Sequence, residues 1–226
     1  MTAPDYGQTF ALWRGGALGP WRDYTRHAFV AGLGDGTLPR AAFLHYLTQD
    51  YVFLVHFARA WSLAVVKSET LEEMRTCAAT VDALVNHEMA LHIGVCAAHG
   101  IDEAALFQTA EAAPNLAYTR YVLDAGLQGD FLDLMAALAP CVMGYGEIGL
   151  HLAQTCTPDT PYKDWIDTYA APDYQAVCKS VGAMIDDSVT QRIGTLSASP
   201  RAARLQQRFT TATQLEVGFW QMGLDA

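Results

Sequence analysis

The chain has 226 residues and a formal net charge of −10; 51% of its residues are hydrophobic and 17% are charged. A chain this apolar and this weakly charged can bury a large core, which excludes intrinsic disorder. The acidic balance argues against binding to nucleic acid or to an anionic membrane surface, because both depend on clustered Lys and Arg side chains. The length allows one or two domains, and since no linker interrupts the sequence we expect a single domain over residues 1–226.

Three further features indicate a cytoplasmic protein. The first eight residues have neither the basic start nor the apolar stretch of a secretory signal. No segment approaches about 18 uninterrupted apolar residues, the length of a membrane-spanning helix. The number of cysteines, 5, is odd and no two are spaced as C-x-x-C, so we expect neither a disulfide framework nor a structural zinc site.

Prolines, glycines and capping residues divide the chain into helices, and no segment shows the period-two alternation of a strand. After a break at residues 32–36, the expected helices cover about residues 37–68, 70–99, 114 to 126–129 and 130–155, then a short segment from 161 and two helices that begin near 172 and 199. The sequence therefore predicts an all-α bundle of about seven or eight helices.

Asp50 is a charged residue on an otherwise apolar helix face. Residues three, four and seven positions apart share a face of a helix. Around Asp50 they are Phe43, Tyr46, Leu47, Phe53, Leu54 and Phe57. A buried carboxylate must be hydrogen-bonded, paired or protonated. We therefore expect Asp50 to point into the core or into a cavity, either as a structural group bonded to a Tyr or an amide or as part of a functional site.

Glu216 and Glu88 repeat this pattern on two other helices. His92 follows Glu88 by four residues, so the two side chains can pair along the helix, and this structural pairing is the interpretation that we favour for them. Three inward carboxylates on three helices are more than a plain bundle needs. They indicate a polar cavity inside the bundle, where such folds place their sites.

Three other patterns give weak signals. From its residue environment alone, Cys141 is more typical of a packing thiol than of a nucleophile. Residues 144–149 match G-x-G-x-x-G, but a helix rather than a strand precedes them, so a dinucleotide site is rejected. The Glu88/His92 and Glu147/His151 pairs are one residue too long for the Glu-x-x-His pairs of carboxylate-bridged metal bundles, and we expect no metal site.

Eight short segments form a specific set when they are taken in order. They are Gly34–Pro39 (GDGTLP), Gln49-Asp50, His56–Ala58 (HFA), Glu88–His92 (EMALH), Ala117–Thr119 (AYT), Ala137–Cys141 (ALAPC), Trp165–Tyr169 (WIDTY) and Glu216–Trp220 (EVGFW). Over nearly the whole chain this set resembles the TenA family, the thiaminase II or aminopyrimidine aminohydrolase proteins of thiamin salvage.

The resemblance implies a haem-oxygenase-like all-helical fold, a homotetramer and a reaction that needs no metal or organic cofactor. The implied reaction hydrolyses the bond between an aminopyrimidine methylene and its nitrogen leaving group, the thiazolium of thiamin or the amine of a degraded thiamin pyrimidine. Cys141 is then the nucleophile, Glu216 the proton donor or shuttle, and Asp50 the carboxylate that binds the aminopyrimidine edge. The implied pocket tyrosines, which stack on the ring or bond near the thiol, are Tyr118, Tyr145 and Tyr169.

Phe53 departs from the family pattern, because many members have a Tyr there whose hydroxyl helps to activate the nucleophile. Phe53 can stack on the substrate, but it cannot donate to a thiolate, and such a bond is worth about 1.5–3 kcal/mol. We expect Tyr118 or Tyr145 to supply the bond; otherwise the thiol is sluggish or the natural substrate differs.

Two other functions stay open at this point. One is a metal-dependent oxidase on the same helical fold, and the other is a non-catalytic pyrimidine-binding or regulatory protein. The fold alone does not distinguish them from the hydrolase.

Overall fold

The computed structural model describes residues 3–226, apart from the side chain of Leu91, and in this range the chain forms helices and no strand. The helices are α1 (Gln8–Gly16), α2 (Leu18–Thr25), α3 (Ala28–Asp35), α4 (Arg40–Lys67), α5 (Leu71–Ala83), α6 (Met89–Ala97), α7 (Glu103–Phe107), α8 (Ala113–Gln128), α9 (Phe131–Thr155), α10 (Lys163–Ala170), α11 (Pro172–Ile193) and α12 (Ala202–Leu224). A π-helical turn, Leu84–Glu88, joins α5 to α6, and a 3₁₀ turn, Leu196–Ala198, precedes α12. The first two residues of the N-terminal segment that was inspected for a signal lie outside the described residues.

The all-α class predicted from the sequence is confirmed, but the expected number of seven or eight helices is too low. Three short helices, α1 to α3, precede the break at Gly36, and α7 is a further short helix between α6 and α8. The expected helix over 70–99 is divided by the π-helical turn. No Gly or Pro marks that turn, so nothing in the local sequence distinguishes it from a continuous α-helix.

Two capping boxes explain where α5 and α9 begin. The Thr70 side chain accepts the N–H of Glu73, and the Glu73 carboxylate accepts the N–H of Thr70 in return. Asp130 and Asp133 make the same reciprocal pair ahead of α9. Each box satisfies backbone donors that a helix start leaves unpaired, and the two helix starts expected from the sequence agree with them.

Helix α9 lies at the centre of the bundle and contacts α2, α3, α4, α8, α10, α11 and α12. By length and composition it is the one helix of the described range that is long and apolar enough to cross a membrane. By this measure of length and composition, α9 is an exception to the expectation that no segment approaches a membrane-spanning helix. Since 94% of its most apolar window is buried inside the protein, α9 is the core helix of the fold.

Buried ion pairs hold α9 and α12 together. Asp133 at the start of α9 is completely buried and accepts hydrogen bonds of 2.7–2.9 Å from Arg201, Arg204 and Arg208. Removing Asp133 would leave three arginines without their shared buried partner, whereas removing one arginine leaves Asp133 with two others. These pairs fix the relative position of the two helices that carry Cys141 and Glu216.

Candidate active site

A buried polar cluster surrounds Cys141 where the central helices meet. Its members are Tyr46 and Asp50 of α4, Glu88 of the π-helical turn, His92 of α6, Tyr118 of α8, Cys141 and Tyr145 of α9, Trp165 and Tyr169 of α10, and Glu216 of α12. The fold thus brings together the carboxylates, the thiol and the tyrosines that the sequence predicted for the site. Their chemical roles remain predictions at this point.

Asp50 is buried, as its apolar helix face predicted, and only 2% of its surface is exposed. One of its oxygens, Oδ2, accepts a hydrogen bond from the Tyr46 hydroxyl at 3.0 Å and lies 2.7 Å from Nε2 of His92. In the described part of the chain no donor is bonded to the other oxygen, Oδ1. Asp50 therefore has one oxygen fixed by the protein and one available to a ligand.

His92 bonds to Asp50 rather than to the Glu88 side chain, so the favoured Glu88–His92 side-chain pairing is wrong. Its Nδ1 lies 2.9 Å from the Glu88 backbone carbonyl, while the Glu88 carboxylate accepts the Tyr169 hydroxyl at 3.0 Å from across the bundle. A carbonyl only accepts, so Nδ1 carries a proton. Burial by itself lowers an imidazole pKa, but the hydrogen bond to Asp50 and the charges of Asp50 and Glu88 raise the pKa of His92 to about 9. His92 is therefore an imidazolium at neutral pH, and Asp50 is its carboxylate partner.

Glu216 has the opposite environment, because among residues 3–226 the groups that act on it are two tyrosines and Asp50 rather than a cation. It is almost completely buried and accepts a hydrogen bond of 2.8 Å from the Tyr118 hydroxyl. Burial raises the pKa of Glu216 to about 8; the Tyr118 hydrogen bond opposes this and the charge of Asp50 adds to it. Glu216 is therefore mostly protonated at neutral pH and can act as an acid.

Cys141 is a protonated thiol in this environment. Burial raises its pKa well above the ordinary value, and the negative charges of Glu216 and Glu88 raise it further. The expected hydrogen bond from Tyr118 or Tyr145 is not formed: Tyr118 donates to Glu216, and the Tyr145 hydroxyl lies 3.4 Å from that of Tyr46. Both hydroxyls have oxygen atoms as partners, because oxygen is a stronger hydrogen-bond acceptor than the sulfur of a neutral thiol.

Aromatic rings line the cluster on two sides. Phe53 stacks on the ring of Tyr118, with centroids 5.2 Å apart and planes at 27°. On the other side the rings of Tyr145 and Tyr169 meet edge to face at 4.9 Å, and Trp165 packs against Tyr169 at 4.6 Å. Phe53 therefore supports a residue that holds Glu216, while Tyr145 lies one turn after Cys141 on α9 and Tyr169 packs against Tyr145 and bonds to Glu88.

Three members of this region, Tyr46, Trp165 and Tyr24, are not among the site residues predicted from the sequence. Tyr46 was taken as part of an apolar face, yet its hydroxyl connects Asp50 to the indole N–H of Trp165, which donates to it at 3.3 Å. Tyr24 of α2 is completely buried beside α9 and α12. No pattern marks Tyr24 in the sequence; the only related signal is Gly144, whose missing side chain leaves room for a neighbouring group.

In the two Glu/His pairs considered for a metal, Glu88, His92 and Glu147 have other partners. Glu88 and His92 are bonded as described above, and Glu147 accepts two hydrogen bonds from Arg14 and one from the indole N–H of Trp21. Within residues 3–226, no group of three or more His, Cys, Asp or Glu side chains is arranged to hold a metal ion.

Comparison with known proteins identifies relatives over most of the chain. The family model of TENA/THI-4/PQQC matches residues 17–226. An uncharacterized protein from Haemophilus influenzae is 42% identical over 207 residues, which is 91% of this chain and 94% of that protein. A protein from Halalkalibacterium halodurans named aminopyrimidine aminohydrolase is 34% identical over 204 residues, and the match covers 89% of each chain.

Solved structures agree with these matches. A protein from Silicibacter sp. TM1040, described as a TenA family transcription regulator, is 63% identical, with a TM-score of 0.96 over 98% of both chains. A domain of unknown function with a heme oxygenase-like fold from Shewanella denitrificans has a TM-score of 0.66 at 13% identity and covers 96% of this chain and 89% of its own. The latter likeness concerns the fold alone, and it confirms the haem-oxygenase-like architecture.

Proposed function

The chain belongs to the TENA/THI-4/PQQC family, and we propose that it is a hydrolase of thiamin salvage. It cleaves the C–N bond between an aminopyrimidine methylene and its amine or thiazolium leaving group, and it releases 4-amino-5-hydroxymethyl-2-methylpyrimidine. The observation that carries this proposal is a pair of buried carboxyl groups in opposite surroundings near one buried thiol: Asp50 is paired with His92 at 2.7 Å, whereas Glu216 accepts a tyrosine hydroxyl and burial raises its pKa to about 8. The relative named aminopyrimidine aminohydrolase supports the same reaction.

Asp50 binds the amino edge of the pyrimidine in this proposal. Its Oδ2 is occupied by His92 and Tyr46, and its Oδ1 has no partner among the described residues. A carboxylate oxygen is a strong acceptor for an N–H group, particularly in a site that excludes water. Asp50 Oδ1 therefore accepts an N–H of the exocyclic amino group and fixes the orientation of the ring.

Glu216 is the general acid. A carboxyl group with a pKa of about 8 is mostly protonated at neutral pH and can still release its proton, which is the compromise that acid catalysis requires. Tyr118 holds this group in place through its 2.8 Å hydrogen bond. Glu216 gives its proton to a pyrimidine ring nitrogen, and this makes the neighbouring ring carbon electron-poor.

Cys141 then adds to that carbon. The sulfur forms a bond to the ring carbon, the ring C=N bond becomes C–NH with the proton from Glu216, and the Glu216 carboxylate takes up the proton of the thiol. The thiol thus adds across the C=N bond with Glu216 as the shuttle, and no free thiolate accumulates. This route suits a thiol whose pKa is raised by burial and by the adjacent carboxylates, because the proton leaves as the S–C bond forms.

The adduct next expels the leaving group. Electrons of the de-aromatised ring move towards the methylene and its C–N bond breaks: the substrate's amino group, which is protonated at neutral pH, leaves as the neutral amine, and a thiazolium leaves as the neutral thiazole. Water adds to the exocyclic methylene and loses a proton, the ring becomes aromatic again, and Cys141 leaves and recovers its proton. Tyr145 and Tyr169 border the pyrimidine during these steps, and Phe53 contributes by packing on Tyr118.

The test is a chromatographic product assay with thiamin and, separately, with 4-amino-5-aminomethyl-2-methylpyrimidine. The parent protein should release the hydroxymethylpyrimidine from at least one of them, and Cys141→Ser should lower the rate by about 10³-fold or more, as is typical when a nucleophile is removed. Cys156→Ser is the matched control, because Cys156 lies at the C-terminal end of the same helix and is half exposed. It should keep the parent rate.

Equal rates for the parent and Cys141→Ser would contradict the assignment of the nucleophile. Absence of product from both substrates would contradict the hydrolase. The second result would favour a regulatory pyrimidine-binding protein, the alternative supported by the description of the 63% identical structure as a transcription regulator. Such a protein would bind the hydroxymethylpyrimidine equally well with Ser at position 141.

The remaining parts of the proposal follow from the family resemblance. The residues assigned here carry the reaction with no metal or organic cofactor, and the partner is a small aminopyrimidine or thiamin rather than nucleic acid or a membrane. A homotetrameric assembly and a cytoplasmic location belong to the same proposal.

A further inference from the structure

Tyr24 lies between the two helices that carry the reacting groups. Its ring packs against Gly144, one turn after Cys141 on α9: a Cβ at Gly144 would lie 2.2 Å from Cε1 and 2.6 Å from the hydroxyl oxygen of Tyr24. On its other side the ring stacks on Trp220, with centroids 6.2 Å apart and planes at 21°. Trp220 follows Glu216 by four residues, so the two side chains share one face of α12.

The position of α2 is itself fixed. One turn before Tyr24, the indole N–H of Trp21 donates to the buried carboxylate of Glu147 on α9 at 3.0 Å. The ring of Trp21 also meets that of Tyr24 edge to face at 5.7 Å. These contacts therefore fix the position of the Tyr24 hydroxyl in the core.

This hydroxyl is buried and has no hydrogen-bond partner among the described residues. A buried hydroxyl without a partner costs free energy, about 1–3 kcal/mol in proteins. The ring of Tyr24 lies against Trp220, one turn after Glu216 on α12. After burial, the charge of Glu216 is the main cause that raises the Tyr24 pKa well above its ordinary value, and the Tyr24 hydroxyl in return lowers the pKa of Glu216. An unused hydroxyl donor therefore lies close enough to Glu216 to affect its ionisation.

We propose that Tyr24 is a positioning residue for Glu216: its hydroxyl donates to the Glu216 carboxylate that forms when the acid gives up its proton. This inference rests on the proposed function and assigns a further residue to the same site. Glu216 receives one hydrogen bond, from Tyr118, while it is neutral, and a second one, from Tyr24, when it is charged. The second bond is made only after proton transfer, so it stabilises the reacting state and leaves substrate binding unchanged.

Other titratable groups face Glu216 and are the same in every variant used below. They are Asp50 of α4, Tyr118 of α8, and Cys141 and Tyr145 of α9. Tyr24→Phe removes one oxygen and keeps the ring between Gly144 and Trp220, so none of these groups gains or loses a contact of its own. A change in the titration of Glu216 in this variant is then due to the lost hydroxyl.

The first measurement does not need turnover. Infrared difference spectra of the parent at several pH values should show the C=O stretching band of a protonated carboxyl that disappears as Glu216 ionises, and Glu216→Gln assigns this band because it removes it. In Tyr24→Phe the midpoint of the band should rise by about one pH unit, the size expected for one lost hydrogen bond to a charged group. Tyr121→Phe is the control: its hydroxyl lies on α8, 3.4 Å from the carbonyl of Arg208, and this variant should titrate like the parent.

The second measurement is kinetic. Tyr24→Phe should lower kcat about tenfold and change KM less than threefold, with the basic limb of the pH profile moved up by the same amount as the infrared band. A midpoint equal to that of the parent and of Tyr121→Phe would overturn the proposal, and so would a loss that falls on KM alone. If the parent protein has no turnover, the infrared titration still decides the role of Tyr24, so failure of the proposed function and failure of this inference are distinguishable.

Discussion

The ion pair between His92 and Asp50 determines the distribution of charge in the candidate site. If His92 orients the Asp50 carboxylate for the amino edge of the substrate, His92→Asn should lower kcat/KM by about 10- to 100-fold, the loss expected for one charged hydrogen bond. Most of this loss should appear in KM, because Asp50 then lacks the partner that fixes its Oδ2 oxygen. His87→Asn is the control, since His87 is exposed on the adjacent π-helical turn. A KM of His92→Asn equal to those of the parent and of His87→Asn would show that His92 has only a packing role.

The contact between α9 and α10 determines the positions of the pocket tyrosines. A Cβ at Gly149 would lie 2.5 Å from the Tyr169 carbonyl carbon and 2.7 Å from the Ala170 nitrogen. Both are backbone atoms, so Gly149→Ala must displace α10 together with Tyr169. We expect a loss of stability of about 1–3 kcal/mol, the usual cost of overpacking, and at least a tenfold rise in KM. Gly94→Ala, whose Cβ meets nothing within 4 Å, should keep the parent activity and gain up to about 1 kcal/mol. Equal melting temperatures and KM values in the two variants would contradict this account of the helix contact.

The stability of the whole molecule should reflect the function proposed for Glu216. A carboxyl whose pKa is raised to about 8 in the folded protein binds its proton more tightly there than in the unfolded chain, so folding becomes less favourable as the pH rises from the ordinary value of about 4.3 towards 8. Glu216→Gln removes this term. Its melting temperature should equal that of the parent near pH 4 and exceed it by several degrees at pH 9. A lower melting temperature for the variant at pH 9 would mean that the Glu216 carboxylate stabilises the fold.

The sequence by itself determined the helical class and the buried carboxylates. Helical spacing of apolar residues predicts helices because one face of each must be buried, and the same spacing identifies Asp50 and Glu216 as charges on apolar faces. Such a charge must find a partner or keep its proton, whatever the topology. The remaining expected roles, including those of Cys141 and the pocket tyrosines, came from the resemblance of the eight short segments to the TenA family.

Only the tertiary structure decided which groups meet. The four-residue spacing of Glu88 and His92 permits a pair along the helix, but Asp50 from α4 lies 2.7 Å from His92 and Tyr169 from α10 bonds to Glu88. Likewise, nothing local in the sequence relates Tyr24 to Glu216, because Tyr24 reaches the face of α12 only through the packing of α2 against α12. The reason is physical: periodicity along one helix states which face is buried, whereas the partner of a buried polar group comes from another helix, at a distance that only the assembled core fixes.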